Sequence, residues 1–163
     1  RPNQLFALSL TYPIVDPASE VAKEIFNTVT KKLLLPKGLR TLAPDEENYV
    51  GIYKGGVYER DTSYHQGITW PWLLGLYFDS FVNIVNAEKD EKKKARLKKA
   101  YNKFVDEVEE IFENEFYYSD CVVGSISELY DSEEPYSAKG SPAQAWSVAE
   151  VFRIIFQGKD KLK

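Results

Sequence analysis

Residues 70–86 read Trp70-Pro71-Trp72-Leu73-Leu74-Gly75-Leu76-Tyr77-Phe78-Asp79-Ser80-Phe81-Val82-Asn83-Ile84-Val85-Asn86. A helix drawn through them is apolar on nearly every side, which predicts a helix buried on most faces. Upstream, Ala18, Ala22, Ile25, Val29 and Leu33 recur at steps of four and three and form a single apolar stripe. Asp16 and Pro17 suit the N-cap and first position of that helix, and Pro36 and Gly38 end it. Downstream, Leu97, Tyr101, Phe104, Val108 and Ile111 line one side of residues 89–116 beneath a charged outer face.

A last helix opens at Ser141-Pro142-Ala143-Gln144, which reads as a capping box with proline at its first position. Beyond it Ala145, Trp146, Val148, Val151, Phe152 and Ile154 are again apolar on most sides, so Trp146 is expected in the core. The tail from Gly158 to Lys163 is expected to fray. Residues 3–12 form a short apolar segment that fits a buried helix or a strand. The order is then buried, amphipathic, buried, amphipathic, buried. Helices alternating in this way form an inner layer covered on both sides and an outer layer facing water. The expected fold is all-α, part of an α/α toroid with alternating inner and outer helices.

Five helices are too few to close such a ring. The chain has no methionine and opens on Arg1-Pro2, so residues 1–163 are expected to be a single domain cut from the C-terminal part of a larger one. Within it, residues 36–66 and 117–140 show no period. Stretches of that length inside a compact domain usually have a task, and each leads into an inner helix, which places both at one rim.

Composition narrows the field. At 163 residues with 44% hydrophobic and 14% aromatic content, the chain is globular. A net charge of −4 argues against a nucleic-acid partner, and the basic run from Lys89 to Lys99 is interleaved with acids on a solvated helix face. No apolar run reaches the ~18 residues of a membrane span, because Asp79 and Asn83 interrupt the longest. Cys121 is alone, which fits a reducing, cytoplasmic setting and a small buried hydrophobe better than a nucleophile.

Two stretches carry chemistry. Residues 58–74 pack the single histidine, His65, between Tyr64 and Gln66 and set Trp70 and Trp72 on either side of a proline. Flat aromatic faces beside charged and amide groups are what a sugar ring and its hydroxyls require. The competing reading is a tryptophan cluster closing a core. In residues 124–131, Gly-Ser-Ile-Ser-Glu-Leu-Tyr-Asp, Glu128 and Asp131 stand three apart near the same rim. Glycoside hydrolysis needs one carboxylic acid for the leaving oxygen and one carboxylate to activate water or attack. The competing reading is a loop glutamate in an ion pair.

Taken together, RPNQLFALSL at the start, GLRTLAPD at 38–45, YERDTSYHQGITWPWLLG at 58–75, GSISELYD at 124–131 and GSPAQAWSVAEV at 140–151 resemble the C-terminal part of glycogen debranching enzymes of the amylo-α-1,6-glucosidase type. The resemblance covers nearly the whole chain and departs mainly in the charged helix at 89–116. It implies an (α/α)6 barrel and inverting hydrolysis of the α-1,6-linked branch-point glucose of glycogen or a related branched α-glucan, without metal or organic cofactor. It implies Glu128 as the general base, and segments around Arg40, Asp61, Tyr64, His65, Gln66, Trp70 and Trp72 as pocket lining. The family's general acid lies upstream of the region seen here.

Several readings stay open from sequence alone. Asp61 accepts a sugar hydroxyl or pairs with Arg40 or Arg60. His65 donates to a sugar or to Glu128, or is a satisfied core histidine. Of Trp70 and Trp72, one stacks on sugar and the other packs inward. Asn3 and Gln4 approach the pocket or satisfy a helix end. The chain could also be a non-catalytic oligosaccharide-binding or structural toroid subunit, or part of a glucoamylase-like α-1,4-acting exo-glucosidase. An incomplete toroid exposes inner faces, so pairing with the upstream chain or self-association is expected.

Overall fold

The computed structural model describes residues 1–119 and 121–162. A 3-10 turn at Pro2–Leu5 runs into α1, Phe6–Ser9, which settles the first apolar segment as helical. The helix α2, Glu20–Lys32, buries Ala22, Phe26 and Val29. Its cap is Ser19, whose hydroxyl accepts from Ala22 N at 3.1 Å, whereas Asp16 turns the chain earlier by accepting from Ala18 N at 2.9 Å. The long helices α4, Leu73–Ala87, and α5, Glu91–Tyr118, follow the predicted periods. Asp90 caps α5 by accepting from Lys93 N at 2.9 Å.

At the centre lies α4, which packs against α1, α2, α5 and α6, Ala145–Lys161. Leu73, Leu74, Tyr77, Phe78 and Val85 are buried in one cluster with Val29 of α2, Tyr101 and Phe112 of α5, and Val151 and Ile154 of α6. Each such side chain removed from water contributes about 2 kcal/mol before entropy is counted. Asp79, Ser80 and Asn83 of α4 find partners. Asp79 receives two bonds of 2.9 Å from the Arg153 guanidinium, Ser80 donates to Leu76 O at 2.7 Å, and Asn83 donates to Leu8 O at 2.7 Å. Arg153 also bonds Glu150 at 2.6 Å and lies over the Phe78 ring, so it clamps α6 to α4. No helix among the described residues is long and apolar enough to cross a membrane.

The fold is mostly helical, yet it is not strictly all-α. Five strands, β1 Leu34–Leu35, β2 Gly38–Arg40, β3 Thr69–Trp70, β4 Leu129–Tyr130 and β5 Ala138–Lys139, form one antiparallel sheet in chain order. Leu39 faces Trp70, Thr69 faces Tyr130, and Leu129 faces Lys139. Strands of two or three residues are too short to show alternation, which is why the aperiodic stretches hid them. Gly38 permits the tightest approach: its φ is +152°, and a Cβ there would stand 2.5 Å from Trp70 O. The sheet draws three segments distant in sequence to one end of the helices.

Other expectations fail for local reasons. The stretch 36–66 also contains α3, Val57–Ser63, which buries only Ser63 and so carries no apolar stripe. The last helix starts at Ala145 with Gln144 as its cap, three residues past the expected cap at Ser141. It is buried on one face only, since Trp146 is 47% and Phe156 74% exposed. Its end does not fray before Lys161: Gly158 is buried against Val105, and its carbonyl accepts from Tyr101 at 2.9 Å. Lys163, the last residue of the expected tail, lies outside the described residues. Cys121 is exposed rather than buried.

Candidate active site around Glu128

Glu128 sits at the entry to β4. The hairpin from β4 to β5 sets the register there, and it extends past the strands as Glu128 N donating to Ser141 O and Ser141 N donating to Glu128 Oε2, both at 2.9 Å. The second carboxylate oxygen, Oε1, accepts from the Tyr64 hydroxyl. Each oxygen thus has one fixed donor, and the remaining lone pairs stay open to a water or a sugar hydroxyl. Gly140, φ +68°, makes room, because a Cβ there would lie 2.4 Å from Glu128 Oε2. The half-buried carboxylate has no ion-pair partner among the described residues, which removes the loop ion pair as an explanation for it.

Tyr64 follows α3 and stands in an aromatic wall. Its ring meets the edge of Trp70 at 4.7 Å and of His65 at 4.8 Å, and lies 5.9 Å from Tyr53. Burial, then the hydrogen bond and charge of Glu128, push its hydroxyl well above the ordinary phenol range. It therefore remains a neutral donor to the carboxylate.

The two tryptophans divide as geometry dictates. Trp70 is 3% exposed, and its indole N–H donates to Tyr64 O at 3.2 Å. It is a core residue that braces the tyrosine. Trp72 is half-buried and stacks on Trp146 at 5.4 Å with 25° between the rings. Trp146 also meets Trp70 edge-on at 6.0 Å, so the wall runs from Tyr53 through Tyr64 and Trp70 to Trp146 and Trp72.

The other sequence candidates lie in different surroundings. His65 is exposed and stacked on Trp70 at 5.2 Å; it makes no bond to Glu128, the place being taken by Tyr64. Asp61 is exposed on α3 and pairs with neither arginine: Arg60 bonds Gly56 O at 3.3 Å, and Arg40 bonds Tyr49, Lys32 O and Ser132 O. Arg40 thus ties loops behind the sheet. The Gln66 side chain accepts from Arg1 at 2.8 Å, and Arg1 also reaches Thr41 O and His65 O. Gln4 satisfies Arg1 O at 2.7 Å, the local alternative for that residue. Asp131 is buried away from solvent, accepting from Tyr53 N at 2.7 Å and pairing with Lys139 at 3.4 Å. It braces the β4–β5 hairpin.

Sequence reading missed three contributors. The Ser141 amide and Gly140 act through backbone geometry, which leaves no mark beyond a glycine. The apolar neighbours of Trp146 predict a core position, and only its place on the outer side of the first turn of α6 exposes it.

A family model described as amylo-alpha-1,6-glucosidase matches residues 1–153. The chain belongs to the amylo-alpha-1,6-glucosidase family. That match takes in Glu128, Tyr64, the aromatic wall and Ser141, and ends at the Arg153 clamp. The chain is also 29% identical over 173 residues to the glycogen debranching enzyme of Saccharomyces cerevisiae (strain ATCC 204508 / S288c), across 96% of this chain and 10% of that relative. It therefore spans about a tenth of the length of the curated relative it matches. Both comparisons agree with the amylo-alpha-1,6-glucosidase resemblance carried by the YERDTSYHQGITWPWLLG and GSISELYD segments.

Proposed function

We propose that this chain supplies the general base and one wall of the sugar pocket for inverting hydrolysis of α-1,6-linked branch-point glucose in a branched α-glucan. Glu128 takes a proton from water while the water oxygen bonds to the anomeric carbon on the face opposite the leaving chain. The bond from that carbon to the glycosidic oxygen breaks, and the leaving oxygen receives its proton from an acid contributed by the longer protein. The observation that carries this reading is a carboxylate oriented from both sides, by Tyr64 and Ser141 N, beside an aromatic wall and inside the family match. Such orientation keeps a base in line with its water at no cost during the reaction.

In this reading Asp61 and His65, both exposed near Tyr64 in sequence, meet sugar hydroxyls, while Arg40, Gln66 and Trp70 hold the pocket's shape. The helices form part of an (α/α)6 toroid completed by the rest of the longer chain. Exposed apolar side chains at Phe6, Leu10, Tyr12 and Ile14 support burial against that remainder or a second copy. The test is glucose release from a phosphorylase-trimmed limit dextrin by the longer protein, wild type beside Glu128→Gln. A loss of about 100-fold or more is expected. Unchanged release makes Glu128 structural, and absence of release in both makes the chain a binding or structural module.

A further inference from the structure

We infer that the outward face of Trp146, backed by Trp72, is a stacking subsite for a glucosyl unit of the glucan chain beyond the unit that reacts at Glu128. This inference rests on the hydrolytic reading above and names how its substrate is held. Three observations carry it. Trp146 is 47% exposed although it belongs to an aromatic cluster, so one broad indole face is left to solvent. That face is rigid: Trp72 stacks behind it at 5.4 Å and 25°, and Trp70 abuts it edge-on at 6.0 Å. A flat, immobile indole is suited to the apolar face of a pyranose ring, and little entropy is lost when a ring settles on it.

The second observation is position. The strand register that holds Glu128 against Ser141 continues to Gln144, whose N–H donates to Ile126 O at 3.0 Å. Trp146 is two residues further, so the platform and the carboxylate hang from the same two paired segments. The same aromatic wall links them, Trp146 meeting Trp70 at 6.0 Å, Trp70 meeting Tyr64 at 4.7 Å, and the Tyr64 hydroxyl donating to Glu128.

The third is a polar group two residues before the indole in the chain. Gln144 Oε1 accepts from Ala145 N at 3.1 Å, which fixes the side chain, while its amide N–H groups donate to no described residue. A stacked ring with an amide donor two residues away in the chain suits a sugar, which presents hydroxyls around an apolar face. A protein partner would need a wider apolar surface than one indole.

The experiment uses the longer protein and two substrates: a branched limit dextrin, which extends past the reacting glucose, and α-glucosyl fluoride, which does not. Trp146→Ala is expected to raise KM for the dextrin about tenfold more than it raises KM for the fluoride. Trp146→Phe should retain most of the affinity, which separates stacking from a folding defect. An unchanged KM for dextrin, or equal losses on both substrates, overturns the inference. If wild type turns over neither substrate, the hydrolytic reading has failed. Maltopentaose affinity measured by calorimetry then decides the platform, with a drop of about tenfold in Trp146→Ala supporting it and no drop overturning it.

Discussion

The Tyr64 hydroxyl donates to Glu128 across 64 positions of sequence, and this bond joins the aromatic wall to the carboxylate. Tyr64→Phe removes the donor and leaves the ring. With one oxygen released, kcat for glucose release should fall by about 10- to 100-fold while KM stays near wild type. A loss confined to KM would place Tyr64 in substrate contact instead of carboxylate orientation.

Two glycines separate crowding from backbone strain. Gly140 and Gly124 both have left-handed φ, +68° and +83°, but only at Gly140 would a Cβ meet Glu128 Oε2, at 2.4 Å. Either alanine costs about 1–2 kcal/mol of stability through strain. Gly140→Ala should also displace the carboxylate and lower activity about tenfold or more, whereas Gly124→Ala should leave activity intact. Thermal melts beside rate assays read both effects, and equal activities would show that the carboxylate tolerates the shift.

A buried carboxylate elsewhere has a structural duty. Glu115 bonds Lys37 at 2.6 Å and accepts from Tyr130 and Ser119 at 3.0 Å each, and Lys37 lies over the Tyr130 ring. Lys37→Met strands the charge and should cost about 3 kcal/mol in denaturant unfolding. Adding Glu115→Leu should recover most of it, because the pair as a whole contributes little over an apolar filling. Failure of the double variant to recover would mean that the cluster orders the chain in a way apolar groups cannot.

Alkali should unfold the protein through its tyrosines. Burial pushes Tyr101 up to about 12 and raises Tyr77, and burial together with Glu115 raises Tyr130 further. An unfolded tyrosine titrates near 10, so between these values the folded chain holds more protons than the unfolded one. Stability is therefore full below pH 10 and falls as pH rises through the folded values. The last part of the rise in tyrosinate absorbance, that of the buried rings, should coincide with loss of helical circular dichroism. Complete titration near pH 10 with the helices intact would contradict the burial of these hydroxyls.

The two tryptophans flanking Pro71 should differ in what they support. Trp70, 3% exposed, should cost about 4 kcal/mol as Trp70→Ala, while half-buried Trp72 should cost about 1 kcal/mol. Equal thermal losses would place both rings in the core.

Much of the helical frame was legible from residues alone, because burial over many turns writes a period into the chain. The apolar run of α4 and the stripes of α2 and α5 are long enough to report which faces are covered. Motif combinations also sufficed for the family, since HQG-x-x-WPW, SELYD and AQAWSVAE come in a fixed order that the match over residues 1–153 supports. The sheet left no such trace: its strands have two or three residues, and the two local hairpins are joined only through β3, whose partners are distant in sequence, Leu39 with Trp70 and Thr69 with Tyr130. Only the folded chain could decide that Tyr64 rather than His65 reaches Glu128, that Asp131 turns inward to Lys139, and that Trp146 faces water. Composition sets which side chains can stack, donate or ionise. Which of them meet depends on strand register and on the turn at which a helix begins, and a shift of one residue in either would bring a different set together.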